Sequence, residues 1–105
     1  MPRSAAPSRH ACERIAGFVR GMGIEEFRAD QRTIRAVLYD LVVLGEAAKG
    51  VSADTRSQFP QVPWKAVAGM KDIATHQYHR IMIDLVWETA IVRVPELLRS
   101  LRDAR

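Results

Sequence analysis

Apolar residues recur every three or four positions along nearly the whole chain, and no stretch shows the strict alternation of a strand, so the pattern predicts an all-α protein. Ser8 is placed to cap a helix beginning at Arg9, on which Ala11, Ile15, Phe18, Val19 and Met22 share one face. Gly21 and Gly23 end it, and Ile24 to Phe27 forms one helical turn that docks two apolar residues. Asp30 caps the second helix, where Ile34, Val37, Leu38, Leu41, Val42, Gly45 and Ala48 keep the spacing. Gly45 and Ala48 are small enough to admit a close neighbour. Lys49 and Gly50 make an exit, a cation near the carbonyl end followed by a residue able to turn left-handed.

Ala53 to Phe59 reads as a short helix, and Pro60 and Pro63 bracket a turn. Pro63 suits the first turn of a third main helix, whose apolar face is Trp64, Val67, Ala68, Met70, Ile73 and Ala74. Arg80 to Ile83 is a short connection, and Asp84 caps the last helix. There Trp87, Ala90, Ile91, Val94, Leu98 and Leu101 lie close to a heptad seam, which Pro95 interrupts and kinks. The expected architecture is an up-and-down bundle of four main helices plus short extra helices. Residues 1–8 are expected to form a disordered N-terminus, and residues 9–105 a single domain.

Composition changes this picture little. A chain of 105 residues supports one core and not two. No apolar run is long enough to span a membrane, Met1 to Ser8 lacks the apolar centre of a signal peptide, and a lone Cys12 forms no intrachain disulfide. Together these features predict a cytoplasmic protein with no membrane partner. The net charge of +4 is compatible with RNA, but the arginines are scattered and fit a solvated basic surface equally well.

The chemistry gathers in one place. Gly69 to Arg80 holds Lys71, Asp72, His76, Tyr78, His79 and Arg80, and two of the three histidines. Three readings compete for it. The first is a polar helix end. The second is a metal site, since Asp72, His76 and His79 at i, i+4 and i+7 share a face if the helix continues. The third is a metal-independent ribonuclease, which needs a proton-transfer group for the ribose 2′-hydroxyl and the leaving oxygen, and a cation on the phosphorane. His76 and Lys71 supply these, but a five-residue separation is about 140° around an ideal helix. The helix must therefore distort or end between them, the lysine must curl round, or two subunits must contribute.

Gly69-Met70-Lys71-Asp72 followed by His76-Gln77-Tyr78 resembles the Gly-Met-Arg-Asn/Asp-(x)3-His-x-Tyr segment of HepT-like proteins, ribonuclease toxins of the HEPN superfamily. Phe27 to Thr33, Gly45 to Ala48, Phe59 to Trp64, Val86 to Thr89 and Val94 to Leu97 match that family in kind and order. The resemblance implies a HEPN-type helical bundle and a homodimer with both motifs facing one cleft. It implies a cofactor-free, metal-independent endoribonuclease of a type VII-like toxin–antitoxin pair. The implied partner is an MntA-like minimal nucleotidyltransferase that neutralises the toxin by adding AMP to Tyr78. It carries catalysis to His76 and, with a departure, to Lys71, where the family has arginine. Lysine keeps the charge and loses the planar bidentate grip on phosphate. Asp72 is expected either to orient the imidazole of His76 or to sit in solvent. His79 gets no catalytic role, and Glu46 is expected to be a solvated carboxylate. The second function class is a catalytically weakened or inactive HEPN protein that binds nucleotide or holds a nucleotidyltransferase.

Overall fold

A computed structural model describes residues 6–76 and 83–103, and the side chains of 8–75 and 83–102 among them. All its regular elements are helical: α1 (Ala6–Val19), α2 (Ile24–Ala29), α3 (Gln31–Lys49), α4 (Ala53–Gln58), α5 (Trp64–His76), α6 (Ile83–Glu88) and α7 (Val94–Asp103), with a π-helical turn (Thr89–Arg93) joining the last two. The main helices are α1, α3, α5 and the run from α6 to α7, and together they form an all-α bundle of the HEPN type. The short α2 and α4 are the extra pieces. Among the described residues no helix is long and apolar enough to cross a membrane.

Helix α1 begins at Ala6, so Ser8 is not its cap: it lies inside the helix and is buried. Ser8, Ala11, Cys12, Ile15 and Val19 form the inward stripe, while Phe18, expected on that face, is 39% exposed. Burial pushes the Cys12 thiol up to about 12, with Glu13 and Asp40 adding to it, so this cysteine packs as an inert small hydrophobe. Gly21 takes φ of +78° and reverses the chain after α1, a conformation glycine adopts without steric penalty.

Helix α2 latches the far end of the fold. Phe27 is fully buried, with its ring 5.1 Å from that of Trp87. Arg28 donates to Asp84 at 2.7 Å and to Glu25 at 2.6 Å. Asp84 is therefore not the expected cap; it is the second residue of α6 and anchors that helix to α2.

Asp30 caps α3 as its position predicts, accepting from the Thr33 amide at 3.0 Å and the Thr33 hydroxyl at 2.7 Å. Hydrogen bonds to Thr33 and Arg32 hold its carboxyl below the usual range. At the other end Gly50 stays right-handed at φ −83°, and its amide donates to the carbonyls of Glu46 and Ala47. The left-handed exit is unnecessary because Arg56 of α4 donates to the Ala48 carbonyl at 2.7 Å. The inward face of α3 also carries Asp40, 2% exposed, which accepts from Arg14 of α1 at 2.7 Å. The half-exposed guanidinium lets water reach that pair from one side.

The interruption expected at Pro95 takes the form of a π-helical turn just before it. The Val94 amide donates to the Thr89 carbonyl, five residues back, and this wider turn gives room to the ring of Pro95 in the first turn of α7. The added residue per turn shifts the helix phase. Ala90, Val94, Leu97, Leu98 and Leu101 remain buried, whereas Ile91 of the expected seam rotates outward to 41% exposure.

Helix α5 approaches α3 closely at Gly45. A Cβ on Gly45 would lie 2.5 Å from the Lys71 Cβ and 2.7 Å from the Lys71 amide nitrogen. Gly69, on the outer side of α5, has open space. Gly45→Ala should therefore cost about 1–3 kcal/mol by forcing the helices apart. Gly69→Ala should gain about 0.5–1 kcal/mol from helix propensity. Urea unfolding of the two variants beside the wild type checks the opposite signs.

Candidate functional site

Helix α5 is held by its first turn. Trp64 is buried and its indole donates to the Phe59 carbonyl at 3.1 Å, with the Arg56 guanidinium 6.0 Å from the ring centroid. Val67, Met70 and Ala74 bury the inward stripe. This fixes the rotation of the helix, and Gly45 fixes its depth on α3.

Lys71 consequently leaves the seam beside Glu46, and the two side chains form an ion pair. The Lys71 side chain is one-third exposed and that of Glu46 about half exposed. The hydrogen bond from Lys71 and then its charge hold the Glu46 carboxyl below its ordinary value against desolvation, with Lys49 adding least. Glu46 is the exposed carboxylate expected from sequence, and it is also the counter-ion of the motif lysine. The signal for it was its place directly after Gly45, the residue where the helices touch.

Asp72 is exposed, and the Thr75 hydroxyl donates to its backbone carbonyl at 3.2 Å. Helix α5 is regular from Trp64 to His76, so it neither ends nor distorts between Lys71 and His76. Two of the four ways of reconciling that pair are thereby removed, leaving a curled lysine or a second subunit. His76 is the last residue of α5 among the described residues, one turn after Asp72. Its side chain, and Tyr78, His79 and Arg80 entirely, lie outside the described residues. The metal reading depends on His76 and His79 and so lies there too; among the described residues no three His, Cys, Asp or Glu side chains gather to hold an ion.

Beside the Lys71–Glu46 pair the seam widens into a shallow bowl lined by Arg35, Leu38, Tyr39, Val42, Ala74 and Thr75, about 500 Å³ in volume. On the other side of α5, a groove of about 480 Å³ separates it from α6 and α7.

An all-α bundle of this type, with a lysine and a histidine five residues apart on one helix, is the class the fold and site define. The family described as ribonuclease HepT-like matches residues 8–104, and the chain belongs to that family. Among similar proteins, "Putative RNase TTE0752" of Caldanaerobacter subterraneus subsp. tengcongensis is 34% identical over 88% of this chain and 82% of its own length. "Putative RNase MJ0125" of Methanocaldococcus jannaschii is 40% identical over 82% of this chain and 74% of its own. "Probable ribonuclease HepT" of Thermococcus cleftensis is 33% identical over 83% and 79%. No solved structure matches the chain.

The Lys71–Glu46 pair has a pH signature. The folded-state pKa of Glu46 is lowered, so the stabilisation from the pair is present above the unfolded value, near 4.5, and is lost as pH falls through the folded value. Carboxyl-carbon NMR should show Glu46 titrating below that value in the wild type and returning to it in Lys71→Ala. An unchanged midpoint in the variant would mean that the pair does not form in solution.

Proposed function

We propose that this protein is a metal-independent endoribonuclease of toxin type. The observation that carries the reading is the family match running through the motif helix, on which Lys71 keeps part of its charge in solvent five residues before His76. His76 accepts the 2′-hydroxyl proton as the 2′-oxygen bonds to phosphorus. The bond to the 5′-oxygen breaks, that oxygen takes a proton from an acid, and a cyclic phosphate remains. Lys71 meets the negative charge that builds on the phosphorane. The relatives named as RNases support the RNA substrate, and the basic balance of the chain fits a polyanion.

The catalytic unit is a homodimer whose two motifs share one cleft. With α5 straight, residues 71 and 76 point about 140° apart, and a second copy lets the lysine of one and the histidine of the other meet a single phosphate. Ala66 is exposed and Gly69 half-buried with open space beyond it, which leaves room for a second copy on α5. Most of the apolar face of α3 and of the α6–α7 seam, including Ile34, Leu41, Ala48, Val94, Leu98 and Leu101, is consumed by the chain's own core. Phe18, Ile91 and Val92 remain as exposed apolar groups for a partner.

The unit is a single domain whose packed part already includes Ser8, earlier than the boundary at residue 9 expected from sequence, active in the cytoplasm without a cofactor, and its antitoxin is an MntA-like nucleotidyltransferase. AMP on Tyr78, two residues after His76, adds a negative charge that competes with the RNA backbone for Lys71. Asp72, one helical turn before His76, supports the imidazole. One observation favours the second reading, a weakened or inactive HEPN protein that binds nucleotide or its nucleotidyltransferase: Glu46 already neutralises the motif cation.

His76→Ala should abolish cleavage of total RNA while leaving helicity intact, and chelator should not change the wild-type rate. Gel analysis of RNA incubated with each protein, with and without chelator, checks both. Activity lost with chelator and restored by a divalent metal would replace this reading with the metal site. A wild type inactive on every RNA would favour the non-catalytic partner.

A further inference from the structure

The outward face of α3 carries a line of residues that the proposed chemistry leaves unused. Arg32, Arg35, Tyr39, Val42 and Glu46 follow at offsets of 0, 3, 7, 10 and 14, which keeps them on one stripe of the helix. The stripe ends at the Lys71–Glu46 pair. At its middle Tyr39 is 70% exposed, the most exposed of the large apolar side chains described. The ring does not stand alone: it lines the apolar bowl between α3 and α5 together with Leu38, Val42 and Ala74.

Its neighbours indicate which partner suits it. Arg35 lies one turn before Tyr39, is exposed, and joins no ion pair among the described residues. Arg32 is exposed one turn further back. Leu38, Val42 and Ala74 give the bowl beside the ring an apolar floor. An aromatic face with cations along the same line is the arrangement that holds a single strand: bases stack on rings, and arginines track phosphates. Helix α5 places the bowl beside the proposed centre, since Ala74 and Thr75 line it and His76 is the next residue. From Arg35 to Glu46 the stripe runs about 16 Å along the helix, enough for more than one nucleotide.

We propose that Tyr39 and Arg35 form a subsite for single-stranded RNA flanking the Lys71–His76 centre, with an unpaired base stacked on Tyr39 and a neighbouring phosphate on Arg35. The subsite rests on the nuclease reading for its biological substrate, but it is a binding site and is tested by binding. It selects single strands, because a paired base cannot present its face to the ring.

The test is fluorescence anisotropy of the full chain with a labelled, unstructured 2′-O-methyl RNA, which cannot be cleaved by 2′-attack, and with the same strand in a duplex. Wild type should bind the single strand more tightly than the duplex. Tyr39→Ala should weaken single-strand binding on the order of five- to a hundredfold, and Tyr39→Phe should keep it. Arg35→Gln should flatten the dependence of log affinity on log salt by about 0.7. Equal binding by wild type and Tyr39→Ala would overturn the proposal, as would a wild type that does not bind the single strand. Light scattering on Tyr39→Ala should show the wild-type oligomeric state; a change would make this face a protein interface and overturn the RNA subsite. A wild type that binds as expected but cleaves no unmodified RNA would remove the nuclease reading and leave the subsite standing.

Discussion

The contact between α3 and α5 at Gly45 sets the depth at which the motif helix lies on the bundle. Because a Cβ there would sit 2.7 Å from the Lys71 amide nitrogen, no other residue fits without moving α5. The approach determines where the Lys71 stem leaves the seam, and hence which side chain of α3 it meets. Glu46 is that side chain, one residue after the contact. The rest of the fold keeps this arrangement in place. Trp64 fixes the start of α5, Arg56 satisfies the carbonyl end of α3, and the Phe27–Trp87 and Arg28–Asp84 contacts anchor α6 beyond the motif.

Much of this was legible in the sequence because helix periodicity, Asp30 as a cap and the small pair Gly45 and Ala48 are local signals. The close approach at Gly45 follows from residue size alone. The features missed depend on three-dimensional partners. Asp40 looks like a surface carboxylate until Arg14, 26 residues earlier, is brought onto it. Asp84 looks like a cap until Arg28 of α2 reaches it. Ile91 looks like a core residue until the π turn ahead of Pro95 changes the phase of the helix. For the site, the sequence singled out Lys71 as the motif cation but not its pairing with Glu46, because a separation of 25 residues hides that contact.

The pair also gives the lysine a different physical setting from an isolated cation. An ammonium is a point charge with rotatable donors, so it can hold a carboxylate and turn part of its hydrogen bonding to a phosphate. A carboxylate within reach lowers the positive potential that a phosphate meets, which reduces ground-state binding. It also orders a flexible stem, which reduces the entropy lost when the transition state is met. In this account Glu46 acts on RNA cleavage through Lys71, not through a contact of its own.

That dependence is measured most directly by a double-mutant cycle on single-turnover cleavage of one RNA oligonucleotide, using wild type, Glu46→Gln, Lys71→Ala and the double variant. The account predicts that Glu46→Gln changes the rate in the wild-type background and has no further effect once Lys71 is alanine. Equal effects of Glu46→Gln in both backgrounds, or four indistinguishable rates, would contradict it.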